Sequence, residues 1–192
     1  MKKTTVCLVR HGQTNWNHEK RIQGLTNNPL NETGFSQAHQ IGVKLATDSL
    51  MSSYDIIISS PLKRAVQTAE VIASHLNYTD EILTHQAFIE RDFGVADGAH
   101  VDDYYEQVQA NTVQDMERHE IIIERVMNGL NELVATYPNQ NIMVVCHSHV
   151  IKAAIIHVTN HQLDFKLPLD NTSLSLIEHA NGTYQLIDYN IT

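Results

Sequence analysis

Three short apolar runs, Val6-Cys7-Leu8-Val9, Ile56-Ile57-Ile58 and Ile142-Met143-Val144-Val145-Cys146, each stop at a polar or charged residue, and helical spacing follows farther on. Runs without a polar face suit strands covered on both sides, and strands alternating with helices build a mainly parallel sheet. The pattern predicts an α/β fold of three layers, α/β/α, with a mostly parallel central sheet and helices on both faces. In such sheets ligands sit beyond the carboxyl ends of the strands. The residues that end these runs are therefore the first candidates for chemistry.

The helical segments are readable from their apolar stripes. Phe35, Ala38, Ile41, Gly42, Leu45 and Ala46 form one, capped by Thr33 or Asn31. Ser60 fits an N-cap and Pro61 the first helical position of a second, whose stripe runs from Leu62 and Ala65 to Leu76 and places Arg64 in its first turn. A long helix is predicted from about Gln114 to Tyr137, ended by Pro138, and another from Val150 to Val158, apolar on nearly every side. A short strand is expected near Ile82-Leu83. Leu174 to Glu178 and Tyr184 to Tyr189, joined by Asn181-Gly182, read as a closing hairpin at the sheet edge. The polar loop through Asn28-Pro29 and the segment from Ala87 to His100 read as loops, the second as mobile or site-covering. The whole, residues 1–192, reads as a single domain with a small helical or loop cap at about 87–120.

A formal charge of −9 argues against nucleic acid or an anionic membrane surface as partner, since both call for a basic excess. The basic start, Met1-Lys2-Lys3, precedes too few apolar residues for an export signal, and no stretch is long enough to span a membrane. With only Cys7 and Cys146, both in apolar runs, the thiols read as reduced core residues in a cytoplasmic protein. Of the 12 histidines, His75, His85, His119 and His161 read as surface residues.

Three strand ends then converge: Arg10-His11 after the first, Ser59-Ser60-Pro61 with Arg64 after the second, and His147 after the third. Two arginines and two histidines gathered at one sheet edge suit a compact dianion, because guanidinium forks match phosphate oxygens and helix N-termini add backbone donors. A tetrahedral phosphoryl group is the natural ligand. The pair His147 and His149 also admits a metal reading, but no supporting ligand set is identifiable and two arginines would repel a dication. Asp92, Asp97, Asp102 and Asp103 read as solvated loop charges, and Arg91 as a partner for the Glu90 carboxylate.

The motifs resemble the histidine phosphatase superfamily, also called phosphoglycerate-mutase-like. The resemblance rests on Leu8 to Asn17 (LVRHGQTNWN), Arg21 to Gly24 (RIQG), Ser59 to Ala69 (SSPLKRAVQTA), Glu90 to Gly94, and His147-Ser148-His149, in register from position 6 to about 155. It implies that His11 attacks phosphorus and becomes a phosphohistidine, with no metal or cofactor. It further implies that Arg10, Arg64 and His147 stabilise the transferring group, that Glu90 is the acid, and that Asn17, Gln23 and Gly24 are secondary phosphate contacts. Ser148 adds a donor beside His147 at a helix start. The chain departs from many relatives in having Cys146-His147-Ser148 in place of Ser-His-Gly, and Val95-Ala96-Asp97-Gly98 in place of an aromatic residue followed by glutamate.

Within that resemblance two reactions compete. A phosphoglycerate-type mutase holds a bisphosphorylated intermediate with extra basic residues, whereas the stretch between Glu90 and His147 carries only Arg91, Arg118 and Arg125. Hydrolysis of phosphate monoesters is the favoured reading. A non-catalytic phosphate-binding relative is the third alternative, opposed by the presence of every chemical role. The substrate is expected to be a small phosphorylated metabolite, with a phosphoprotein as the other choice.

Overall fold

The structure is a computed structural model and describes residues 3–48, 51 and 53–192; Met1 and Lys2 of the basic start lie outside these. Six strands form one sheet in the order β3-β2-β4-β1-β5-β6. Strands β1 (Thr4–Arg10), β2 (Ile56–Ser59), β3 (Leu83–Thr84) and β4 (Asn141–Cys146) pair in parallel, while β5 (Leu174–Ala180) and β6 (Thr183–Ile191) add an antiparallel hairpin whose outer strand is an edge. The hairpin turns at Asn181 and Gly182, both at positive φ, as a tight two-residue connection of right-twisted strands requires.

Strand alternation sorts the core into two. Val6, Leu8, Ile58, Ile142, Val144 and Cys146 face α5 (His119–Thr136) and α6 (Ser148–Val158), whereas Cys7, Val9, Ile57, Met143 and Val145 face α2 (Glu32–Thr47) and α3 (Lys63–His75). Successive side chains thus bury into opposite layers, which explains why the runs lack any polar alternation. Both cysteines are buried and unbridged, and burial raises the Cys7 thiol to about 12 and the Cys146 thiol further, so neither supplies a thiolate.

Several boundaries differ from expectation for local reasons. Asn31, not Thr33, caps α2 by accepting from the Gly34 N–H at 2.9 Å. Helix α3 begins at Lys63 with Leu62 at its N-cap, so Ser60 and Pro61 lie ahead of it and the Ser60 hydroxyl is committed elsewhere. Helix α5 starts at His119 instead of Gln114, because Asp115 takes a left-handed conformation (φ 59°) and Met116 turns away into a separate apolar cluster. Two helices were not expected: α1 (Asn15–His18), held by a capping box between Thr14 and Asn17, and α4 (Val101–Gln109) in the cap.

The cap packs as a unit around Ile22, Phe93, Ala96, Val108 and Met116. The segment from Ala87 to His100 is tied in as well. Ile22 donates to the Ala99 carbonyl at 2.8 Å and Gly98 donates back to the Ile22 carbonyl at 2.9 Å, so of the two readings the site-covering one fits: the segment is a packed wall. On the opposite side of the site, the loop after β1 approaches α2 so closely that a Cβ on Gly12 would lie 2.5 Å from the Gly34 carbonyl oxygen. Glycine there serves contact, not flexibility.

Candidate active site

The carboxyl ends of β1 and β4 and the start of α6 open into a cleft of about 450 Å³. Its polar end is lined by Arg10, His11, Gln23, Glu90, Ser148 and Asn171, and the cap contributes an apolar wall including Phe93, Val101, Tyr105 and Val108. Asn17, half-buried, sits at the rim; its side-chain Oδ1 accepts from the Thr14 N–H at 3.1 Å in the α1 capping box.

His11 is set up as a neutral ring with a known tautomer. Its Nδ1 lies 2.7 Å from the Gly12 carbonyl oxygen, which can only accept, so Nδ1 carries the proton and Nε2 keeps its lone pair. Burial, then the charges of Arg64 and Arg10, hold its pKa well below the usual imidazole value. The backbone is pinned by His11 N–H to the Cys146 carbonyl at 3.0 Å and by Asn171 Nδ2 to the His11 carbonyl at 2.9 Å.

His147 stands beside it, ring centroids 5.2 Å apart. Ser60 Oγ accepts from the Leu62 N–H at 3.3 Å and shares a second hydrogen bond with His147 Nε2, 2.7 Å away. Nδ1 of His147 is buried with no protein partner. Arg10 Nε is likewise buried and unpartnered, while its Nη1 donates to the Leu169 carbonyl. Burial, then Arg64, His11 and Arg10, keep His147 neutral too.

Arg64 and His147 are fully buried and back the cleft instead of lining it. The Arg64 guanidinium donates to the Gly24 carbonyl at 2.8 Å and the Thr26 carbonyl at 2.9 Å; with the Gln23 amide turned so that its nitrogen donates to Thr14 Oγ1, its oxygen accepts from Arg64 Nε and Nη1, each at 2.9 Å. The Gly24 N–H is itself taken by Asp97 at 2.8 Å. Gly24 therefore meets Arg64 through its carbonyl, and its position against the Arg91 carbonyl, 2.9 Å from where a Cβ would be, leaves no room for a side chain.

Asp97 corrects the solvated-charge expectation: besides Gly24 it accepts from the Thr26 hydroxyl at 2.6 Å and the Thr26 N–H at 3.3 Å, fixing the turn that holds Arg64. Replacing Asp97 with Ala frees three donors in a half-buried turn, a loss of about 1–3 kcal/mol of stability, and loosens Arg64. A lowered melting temperature with KM raised is expected; values for both matching wild type would show that the turn does not depend on the carboxylate.

Glu90 is buried in the cleft wall and its pKa is raised by desolvation, an effect only partly offset by the Arg91 N–H (2.9 Å), by Arg64, by the His149 N–H (3.5 Å) and by Arg10. It is not paired with the Arg91 guanidinium. That group is buried, donating to the Glu117 carbonyl at 2.7 Å and Asn111 Oδ1 at 2.9 Å, with Nη1 3.4 Å from His149 Nδ1. Arg125 fixes the backbone leading to Glu90 by donating to the Ala87 and Ile89 carbonyls at 2.8 and 3.0 Å, braced by both Glu117 oxygens.

Sequence reasoning missed Asn171 and Lys152, and assigned no site role to Arg125 or, beyond a metal reading it set aside, to His149. Lys152 had a signal: it is the one charged residue in an otherwise apolar helical stretch. Among the surface histidines, His75, His85 and His119 are half-buried, His75 within 2.8 Å of His39; His161 is exposed. The rings of His147 and His149 diverge, one toward Ser60 and His11, the other between Phe93 and Phe165. Among the described residues no group of three or more His, Cys, Asp or Glu is placed to hold a metal ion, and no helix is long and apolar enough to cross a membrane.

The family model described as histidine phosphatase superfamily (branch 1) matches residues 6–192. The chain belongs to that superfamily. Among its relatives this histidine phosphatase is 38% identical over 189 residues to the uncharacterized phosphatase PhoE of Bacillus subtilis (strain 168), covering 98% of this chain and 95% of that one. It is 30% identical to phosphoserine phosphatase 1 of Hydrogenobacter thermophilus, covering 97% and 92%. A crystal structure of phosphoserine phosphatase from Entamoeba histolytica in complex with 3-phosphoglyceric acid superposes with a TM-score of 0.85 at 26% identity, over 98% of each chain. Probable phosphoglycerate mutases match at lower identity. The phosphomonoesterase reading therefore holds over the mutase one, and the enzyme is a phosphatase.

Proposed function

We propose that this phosphatase works by double displacement at His11. Nε2 attacks phosphorus in line, forming the N–P bond as the P–O bond to the leaving alcohol breaks, and the protonated Glu90 carboxyl delivers its proton to that oxygen. Water then attacks the phosphohistidine, Glu90 takes the proton back, the N–P bond breaks and phosphate leaves. Arg10 in the cleft and His147 at its back, with Ser60 donating to Nε2 and the ring proton on Nδ1, act on the equatorial oxygens, where fixed donors in a buried site stabilise developing charge most effectively. Asn17, Gln23 and Ser148 complete the phosphate environment, Gln23 acting also through Arg64; Gly24 is not a phosphate contact and acts only through Arg64.

The observation that carries this reading is the His11 tautomer, a neutral ring with its proton spent on Gly12 and its lone pair left to a cleft that also holds Arg10 and Glu90. The substrate is a small phosphorylated metabolite, acted on by one domain with its cap at about 87–120, in the cytoplasm. Phosphate release from an aryl phosphate in excess chelator tests the reaction class: turnover undiminished by chelator is expected, and activity restored only by added metal would overturn the histidine route.

A further inference from the structure

The contact with Gly34 that forces glycine at position 12 also leaves the loop after β1 without a Cβ to restrict its backbone dihedrals. Yet the Gly12 carbonyl is the group that holds the His11 ring proton, 2.7 Å from Nδ1. If that carbonyl turned away, the ring would lose the acceptor that keeps its proton off Nε2. The tautomer of His11 is therefore only as fixed as the two peptides that meet at Gly12.

Both peptides are held from outside by neutral side chains on three separate elements. In the first, the His11 carbonyl accepts from Asn171 Nδ2 at 2.9 Å and the Gly12 N–H donates to Thr68 Oγ1 at 3.1 Å. In the second, whose carbonyl takes the ring proton, the Gln13 N–H donates to Gln37 Oε1 at 2.8 Å. Thr68 lies on α3 and Gln37 on α2, and neither lines the cleft. Thr68 is fully buried, and the one proton of its hydroxyl goes to the Arg64 carbonyl at 2.7 Å, which leaves a lone pair for Gly12. A single oxygen thus ties the loop that carries His11 to the helix turn that carries Arg64. Neutrality has a reason as well. A carboxylate in either place would favour the imidazolium and repel a phosphate dianion, whereas a hydroxyl and an amide orient the loop and leave the ring neutral. Thr68 belongs to the motif from Ser59 to Ala69 but contributes nothing to the phosphate cradle, so its place there is explained by the nucleophile.

We propose that Thr68 and Gln37 are positioning residues for the nucleophile, clamping the peptides on either side of Gly12 so that its carbonyl keeps the His11 ring proton on Nδ1 and Nε2 stays aimed at phosphorus. The proposal rests on the reading of His11 as the attacking group.

Isotope-labelled histidine reports the tautomer through its ring-nitrogen NMR shifts, with His11 assigned by the signals lost in His11→Ala. Wild type is expected to show the Nδ1–H form. In Thr68→Val, which keeps the shape of the side chain and deletes its hydroxyl, the shifts should move toward the Nε2–H form. In the same variant kcat/KM is expected to fall by about ten- to a hundredfold, the scale of a small misplacement of a reacting group. The fall should be equal on nitrophenyl and alkyl phosphates, since Glu90 is untouched, and competitive inhibition by inorganic phosphate should stay at the wild-type level. Thr68→Ser returns the hydroxyl and is expected to recover both tautomer and rate. Gln37 is only half-buried, so Gln37→Leu, expected to act in the same direction, decides the matter should Thr68→Val fail to fold. An unmoved tautomer signal or an undiminished kcat/KM in either variant overturns the clamp. So does a loss that Thr68→Ser leaves in place, or one matched by weaker phosphate inhibition, because Thr68 would then serve packing or, through Arg64, the phosphate. The tautomer signal needs no turnover: a wild type that releases no phosphate would strike the reading of His11 as nucleophile, and the spectra of the variants would still decide the clamp.

Discussion

His11→Ala is expected to lose turnover on every phosphate monoester, by on the order of 10⁴-fold or more in kcat, the scale seen when a covalent nucleophile is removed. Binding is expected to survive, because Arg10, Arg64 and the His147 N–H do not depend on the His11 ring for their own anchors: Arg10 is held by Leu169, Arg64 by Gly24, Thr26 and Gln23, and His147 by Ser60. The variant should therefore bind substrate and fail to consume it, a pattern separable from unfolding by a melting curve and by titration with unreacted ester. In wild type, rapid quenching should trap one phosphoryl group per chain, and the bond type identifies its site, since an N–P linkage survives alkali and breaks in acid. Label in an acid-stable linkage, or turnover in His11→Ala within tenfold of wild type, would place the nucleophile elsewhere. Ser60 would then be the residue to examine.

The residues that meet at the sheet edge were readable because each ends or follows an apolar strand, and strand ends in a parallel sheet share one edge whatever the details of the loops. Arg10, His11 and His147 are fixed by that rule alone. Arg64 follows it too, one step into α3, but its depth does not: nothing in SPLKR shows that its guanidinium is spent on the Gly24 turn, because that turn comes from a polar loop with no periodicity. Asp97 was misread, and Arg125 given no role, for the same reason. A charged residue in a loop or on a helix reads as solvated unless its partners are known, and theirs are backbone groups, which every sequence possesses equally. Helix α4 was missed for another cause. Val101, Tyr104, Tyr105 and Val108 follow the i, i+3, i+4, i+7 spacing of an amphipathic helix, a signal that was present but passed over because the segment is short, flanked by charges and set in a stretch read as loop. The α5 start went astray because Met116 fits the helical period yet belongs to the cap.

Glu90→Gln should divide substrates by leaving group. Glutamine keeps the size of the side chain and can still accept the Arg91 N–H, but has no acidic proton to deliver. For an alkyl phosphate, whose alkoxide is a poor leaving group, kcat/KM is expected to fall by about 10²–10⁴-fold, the usual worth of a positioned acid. For a nitrophenyl phosphate, whose phenolate leaves unaided, kcat/KM should change by less than about tenfold, because that constant reports formation of the phosphohistidine alone. Its kcat should fall all the same, since the second step needs the carboxylate as base, and nitrophenol should appear as a burst equal to the enzyme before a slow steady rate. The pH profile carries the same signature. Wild type needs His11 neutral and Glu90 protonated; burial lowers the first pKa and raises the second, so the active window in kcat/KM for alkyl esters opens below the ordinary histidine range and closes on the alkaline side as Glu90 ionises. In Glu90→Gln, with the nitrophenyl ester, the alkaline limb due to Glu90 should vanish while the acid limb, owned by His11, stays. An equal fall in kcat/KM for both esters, without a burst, would mean that Glu90 holds the cleft together through Arg91 and His149 and moves no proton.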